Sequence, residues 1–458
     1  MSVIDHNKHG NRCHECYDHN SDHSKLISII FLYPSSLFSY FCSVAVVVGV
    51  VYILRSLLRN DGNLSGESLP VLAVKYALPS AVPCLCLHWA SHDKLPIWQQ
   101  VFMPWGVYAL TSLVTLTVMW NPLLVYLVHF PRPEDSEDTK LSLGKGSAED
   151  LIRAAYRRIK MNWKNHLKTT TNSSTSNGRA VEAREEPLPP PHAYGLATAY
   201  SAAFLVLLVT YFLLVAMLLG DGLIFTLALY ISSLLLWLEI YSATKWPRAD
   251  AIQSSTGSSF AAYLLIPWWA IVGWGFLAAV FYFNTGHQSS IPNIPWNAAF
   301  HGVIGDHATH FLPALLVSLN LFVADVAAAF SLPLIILWPY ARGKIAFYFS
   351  KRNISPTVEK KCEVALQDNP RTVGVALLKL SLGFILFCSM RSLSAMGAAA
   401  LHRRHLMVWK IFAPRFIFES ARFGISGVAV LLGVLFFLRV DRLIRNWLQN
   451  VQDRIAKK

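Results

Sequence analysis

The chain has 458 residues, 54% of them hydrophobic and 15% charged, a balance too apolar for a soluble globular protein. Its formal charge of +13 resembles a nucleic-acid footprint, but the Lys and Arg residues flank apolar runs, where they fix topology against anionic lipid. Nucleic-acid binding is therefore set aside, and composition points to an all-α, polytopic transmembrane helix bundle.

Residues 1–25 are polar and His-rich, without the basic segment and short apolar core of a cleavable signal peptide. Within them, Cys13-His14-Glu15-Cys16 has the two-residue gap that lets paired thiolates reach one zinc ion. A closed zinc site needs a second ligand pair on a folded scaffold, and this tail has almost no apolar residues to build one, so Cys13 and Cys16 are weak metal candidates. The seven cysteines are scattered and outline no disulfide framework.

A crossing helix needs about 20 apolar residues, because each backbone amide must find its partner inside the segment. Nine stretches meet this, at about 37–58, 69–89, 101–128, 194–219, 223–241, 260–283, 311–338, 373–401 and 416–438. The first three occupy 26–130 and the last six 194–440. The third contains Pro122 and the seventh Pro313 and Pro333, so each is expected to tilt or break, and a tenth crossing stays open.

Loop charge sets the orientation. Arg55 and Arg59, the basic loop 131–193, the run from Arg342 to Arg371, and Arg439 with the basic tail at 441–458 that holds Arg442 and Arg445 read as cytoplasmic. The loop at 284–310 has no Lys or Arg and reads as luminal. Alternation then places the N-terminus in the lumen and the C-terminus in the cytosol. His402-Arg403-Arg404, Lys410 and Arg415 resist the scheme, being basic yet on the luminal side. Either the rule is overridden there or a helix is miscounted. The sequons at Asn63, Asn172 and Asn353 fall in cytoplasmic loops and are expected to stay unglycosylated.

Within 131–193, Leu151, Ile152, Tyr156, Ile159, Trp163 and Leu167 recur at helical spacing among Arg and Lys. Two readings are open: a basic helix lying on the membrane, or one packed on neighbouring protein. The luminal loop holds His287, His301, Asp306, His307 and His310. Metal binding, proton handling and head-group contact all suit that set, and the plainer reading is a structural loop with Trp296 and Phe300 at the interface.

A charge at a helix centre costs about 2.5–3.5 kcal/mol even on insertion scales, so charges in the apolar stretches must face protein or water. Glu239 and Lys379 lie near helix ends and can snorkel, leaving Asp325 and Arg391 as the expected internal pair, either structural or along a transport path. There is no P-loop, nucleophile elbow or His-Glu-x-x-His motif.

Two segments carry a family resemblance. Asn284-Thr285-Gly286-His287-Gln288 with Trp296-Asn297-Ala298-Ala299-Phe300, and Arg403-Arg404-His405-Leu406-Met407-Val408-Trp409-Lys410-Ile411-Phe412-Ala413-Pro414-Arg415-Phe416-Ile417-Phe418-Glu419, resemble the membrane region of GPI ethanolamine phosphate transferases. The second is closest to the type acting on the third mannose. The resemblance is strong over 260–440.

It implies an endoplasmic reticulum enzyme that moves phosphoethanolamine from phosphatidylethanolamine to the GPI precursor beside a PIG-F-like small membrane partner. It also implies a luminal alkaline-phosphatase-like domain with a threonine nucleophile and zinc; about 25 polar residues before the first helix are too few for that fold. The chain alone is therefore expected to be inactive, with no cofactor of its own. His287, Trp296, Arg403, Arg404, Trp409, Lys410 and Arg415 are the expected lipid and head-group contacts. A lipid or solute transporter and a non-catalytic regulatory subunit of the GPI pathway are the rival readings.

Overall fold

The computed structural model describes residues 34–58, 69–91, 97–122, 196–245, 264–303, 310–341, 370–404 and 408–456. Among them there are helices and turns and no strand, as the apolar patterning requires. In chain order the helices are α1 (Pro34–Leu58), α2 (the span Leu69–Ala90), α3 (Ile97–Trp120), α4 (Leu196–Leu219) and α5 (Ile224–Lys245). They continue with α6 (Trp268–Asn284), α7 (Phe311–Leu321), α8 (Val323–Phe330), α9 (Leu332–Leu337), α10 (Pro370–Leu401) and α11 (Ala413–Ala456). The Cys13 and Cys16 pair and the basic stretch at 151–168 lie outside the described residues.

The helical membrane bundle expected from sequence is present. Among the described residues, six helices are long and apolar enough to cross, or seven if α7 and α8 form one span. The part of α1 from Tyr40 to Leu54, and α6, are shorter apolar helices. The seventh stretch is not continuous: α7 and α8 meet at a bend of 75°. The bend falls at Phe322, away from both prolines. Pro313 sits early in α7, and Pro333 opens α9, where its missing N–H costs nothing. At the other extreme, α11 runs 44 residues, so Arg439, Arg442 and Arg445 ride on a continuing helix instead of a separate tail.

Proline shapes two further places. A π-helical turn at Ala73–Ala77 lies two residues before Pro79, and another at Val408–Phe412 lies two residues before Pro414. Proline has no N–H to return to the preceding turn, and the ladder slips to wider closure; the Leu78 N–H reaches back to Ala73 O.

The core centres on α4, whose apolar residues surround the whole helix. Of its apolar window 78% is buried, against 33–44% for the other spans, which marks it as the helix enclosed by the rest. Phe204 meets Phe330 and Phe436, and Phe212 meets Tyr230 edge-on. The outer spans keep large apolar side chains exposed, among them Phe102, Leu116, Phe225, Leu236, Leu378 and Leu432, as a lipid-facing surface requires. Close approach is set by small residues: a Cβ on Gly433 of α11 would stand 2.7 Å from the Phe330 carbonyl oxygen of α8.

Contacts between helix ends sort them into two faces. At one, Tyr40 bonds the Cys86 carbonyl, Trp105 Nε1 donates to Gly302 O at 2.9 Å, and Asn320 donates to Leu218 O at 2.9 Å. This is the His287 face. At the opposite face, Arg439 donates to Trp120 O, Tyr200 to Asp441, and Lys245 to Leu265 O. This is the Lys245 face. α6 and α10 run parallel, since Gly275 packs on Phe387 and Gly383 on Ile271. The turn at 402–412 and the loop at 285–303 therefore share the His287 face, and Arg439 to Arg445 lie at the other.

Candidate functional site

The site lies where α8, α10 and α11 meet below the His287 face. Asp325 sits in the first turn of α8, just past the 75° bend, where the free N–H ends of a helix favour a carboxylate. Arg391 of α10 reaches its Oδ1 at 4.0 Å, so the two charges singled out in the sequence do meet. Two more complete the cluster. Glu419 binds Arg391 at 3.0 Å and Arg422 at 3.0 Å, and the Arg422 Nε lies 3.4 Å from Asp325 Oδ2. The set is two carboxylates and two guanidinium groups, neutral in sum. Arg422 is the most enclosed, with 3% of its side chain exposed against 23% for Arg391.

Burying four charges in hydrocarbon is tolerable only when each has an opposite partner and hydrogen bonds to use its remaining valence. Arg422 gains a further partner in Tyr282, whose ring centroid stands 3.4 Å from the guanidinium carbon. That distance is a close cation–π contact, strengthened by the burial of both groups. Leu321, Phe322 and Phe418 pack around Tyr282 and seal it.

Tyr282 also joins the cluster to the loop above, because its ring stacks on His287 at 5.5 Å. His287 is 6% exposed, and its Nδ1 lies 2.6 Å from Thr285 Oγ1. The Thr285 hydroxyl also lies 2.9 Å from the Tyr282 carbonyl, which ties the loop back to the last turn of α6. Burial lowers the His287 pKa from its ordinary 6.5, Asn320 opposes the shift and the Arg422 charge adds to it. Gly286, at φ +75°, supplies the left-handed turn that folds His287 back over Tyr282.

The remaining expected contacts divide. Trp296 is exposed on the loop, and Arg403, Arg404, Lys410 and Arg415 are all exposed around the turn joining α10 to α11. The side chain of Trp409, and residues Asp306 and His307, lie outside what is described. The His301 ring stands tilted against His88 at 5.6 Å, and His402 lies flat on Phe412 at 4.5 Å. His310 is exposed at the start of α7. Glu239 accepts from Trp338 Nε1 at 2.8 Å. Among the described residues no three His, Cys, Asp or Glu side chains converge as metal ligands.

Glu419 and Arg422 were the omission in the sequence reading. Both lie inside the apolar stretch 416–438, three apart and so on one helix face, which is the same signal that marked Asp325 and Arg391. Tyr282 carried no such signal, since an aromatic residue in an apolar run has no sequence mark of a cation above it.

Fold and site together define a multi-pass helical membrane protein with a buried, charge-neutral polar cluster. Comparison with curated proteins shows what the chain is similar to. Human "GPI ethanolamine phosphate transferase 3, catalytic subunit" is 30% identical over 441 residues, covering 90% of this chain and 38% of that protein. The mouse protein of the same name is 29% identical over 444 residues, and Saccharomyces cerevisiae GPI ethanolamine phosphate transferase 3 is 27% identical over 172 residues. The chain is a homologue of the type 3 GPI ethanolamine phosphate transferases over part of their length. It spans about 38% of the mammalian relatives. No family model and no solved structure matches it.

Proposed function

We propose that this chain forms the membrane part of a type 3 GPI ethanolamine phosphate transferase in the endoplasmic reticulum. The observation that carries this reading is the match to the human transferase across 90% of the chain. The reaction would move phosphoethanolamine from phosphatidylethanolamine to a mannose, the third, of the GPI precursor. The groups that make and break the phosphorus–oxygen bonds, and the zinc that serves them, would lie outside these 458 residues. The described residues offer no ligand set for that metal, and no step is assigned to it here.

In this reading the chain's own part is to hold lipid substrates, with the His287 face in the lumen and the Lys245 face in the cytosol. Exposed Arg403, Arg404, Lys410 and Arg415 share that face with Trp296, which suits contact with phosphate groups of the lipid-linked glycan or donor. The outer helices would offer surface to a PIG-F-like partner.

The test uses cells lacking the full-length type 3 transferase. The chain is expressed alone, and then joined to the part of the human relative that it does not span. Restored surface GPI-anchored protein only in the joined form is the expected result, with loss on Arg403→Glu/Arg404→Glu. Rescue by the 458 residues alone would overturn the division of labour. Rescue by neither, at normal expression, would overturn the assignment to this enzyme.

A further inference from the structure

At the Lys245 face, a cavity of about 90 Å³ opens between the start of α6 and the first turns of α10. Its walls are apolar, formed by Leu265, Ile271, Val375 and Leu380, and Thr372 and Lys379 add polar groups. Lys379 is exposed, and no carboxylate among the described residues pairs with it. Gly383, one turn further along α10, lies against Ile271 and Trp268. Trp268 is 49% exposed there. Lys245 ends α5 and holds the Leu265 carbonyl at 2.7 Å, which places the cavity at the limit of the spans.

Those features match the order of groups in a lipid. Exposed indole rings occupy the head-group level of a bilayer, and a lysine with its stem on apolar surface puts its ammonium at the same depth. The apolar walls run inward from there, toward Gly383 and Ile271, at acyl-chain depth. α6 also starts after the extended residue Pro267 with no side chain capping it, and its Ala270 amide bonds back to the Pro267 carbonyl. A zwitterionic head group brings no net charge to Lys379. An anionic one brings a net negative charge.

We propose that this cavity binds an anionic glycerophospholipid, with the phosphate on Lys379 and one acyl chain along the α6–α10 groove. The site is independent of the transfer reaction, lying at the opposite end of α6 from His287, about 25 Å away at 1.5 Å per residue.

The test takes the full chain in phosphatidylcholine nanodiscs and titrates phosphatidylserine or further phosphatidylcholine, with bound lipid counted by native mass spectrometry. Phosphatidylserine is expected to bind about fivefold more tightly, the contribution of one lysine near an anionic surface. Lys379→Gln should abolish that preference and Lys379→Arg should keep it. Ala376→Phe, which fills the cavity without touching charge, should weaken retention of both lipids. A preference unchanged in Lys379→Gln, or retention unchanged in Ala376→Phe, would overturn the proposal, whatever the outcome of cell rescue.

Discussion

The seam around α4 and the seam between α8, α10 and α11 solve the same problem with opposite chemistry. α4 is apolar on every side and is held by ring contacts such as Phe204 on Phe436 and Phe212 on Tyr230. The second seam places Asp325, Arg391, Glu419 and Arg422 where lipid would otherwise lie. In a bilayer, lipid tails compete with apolar packing, so van der Waals fit alone discriminates weakly between registers. A charge lattice discriminates strongly, because a one-turn slip leaves a guanidinium facing hydrocarbon. The apolar seam gives cohesion, and the charged seam fixes how α10 and α11 dock on α8.

The largest test of this contrast is Arg422→Met. It leaves two buried carboxylates sharing Arg391, and breaking a buried pair from one side costs about 3–5 kcal/mol. The expected outcome is loss of folded protein in detergent by size-exclusion profile and thermal melt. Replacing Asp325, Glu419, Arg391 and Arg422 together by Leu, Leu, Met and Met should recover most of that loss, because no charge is then stranded. A quadruple variant as unstable as the single one would show that the cluster supplies cohesion as well as register.

A steric test comes next. Gly433→Ala places a methyl 2.7 Å from the Phe330 carbonyl oxygen and should cost about 1–3 kcal/mol, read as a lower melting temperature. Gly424→Ala on the same helix meets nothing within 4 Å and should change stability by less than about 0.5 kcal/mol. Equal effects would mean that α8 and α11 do not pack this closely.

The smallest expected effect is on pH. Burial holds the His287 pKa below its ordinary 6.5, so the unfolded chain takes up a proton that the folded loop refuses. The contribution is fully present above about 6.5 and is lost as pH falls through the lowered folded value. Hydrogen exchange in 285–303, corrected for intrinsic rate, should accelerate below that pH and lose the dependence in His287→Asn. Unchanged protection down to pH 5 would remove His287 from the loop's support.

Much of this was legible before any coordinates. Apolar length located every stretch that became helical, and the cost of charge in lipid located Asp325 and Arg391. A break in the seventh stretch was expected from its prolines, but its place at Phe322, away from both Pro313 and Pro333, was not legible. The length of α11 was also missed: the stretch was closed where its apolar run met Arg439, although charge ends a membrane span without ending a helix. Glu419 and Arg422 were legible and were overlooked. The cation–π contact on Tyr282 depends on α6 and α11 meeting, which no local pattern encodes.

The 75° bend bears on how the protein is made. Neither α7, with 11 residues, nor α8, with 8, is long enough to cross a bilayer by itself. α8 also carries Asp325, whose partner Arg391 emerges from the ribosome only after most of α10, and Arg422 only after all of α10 and the first turns of α11. Until then the carboxylate has no counter-charge and the pair of short helices no settled depth. Translation of the last two helices thus completes an earlier crossing, and biogenesis of this bundle finishes out of chain order.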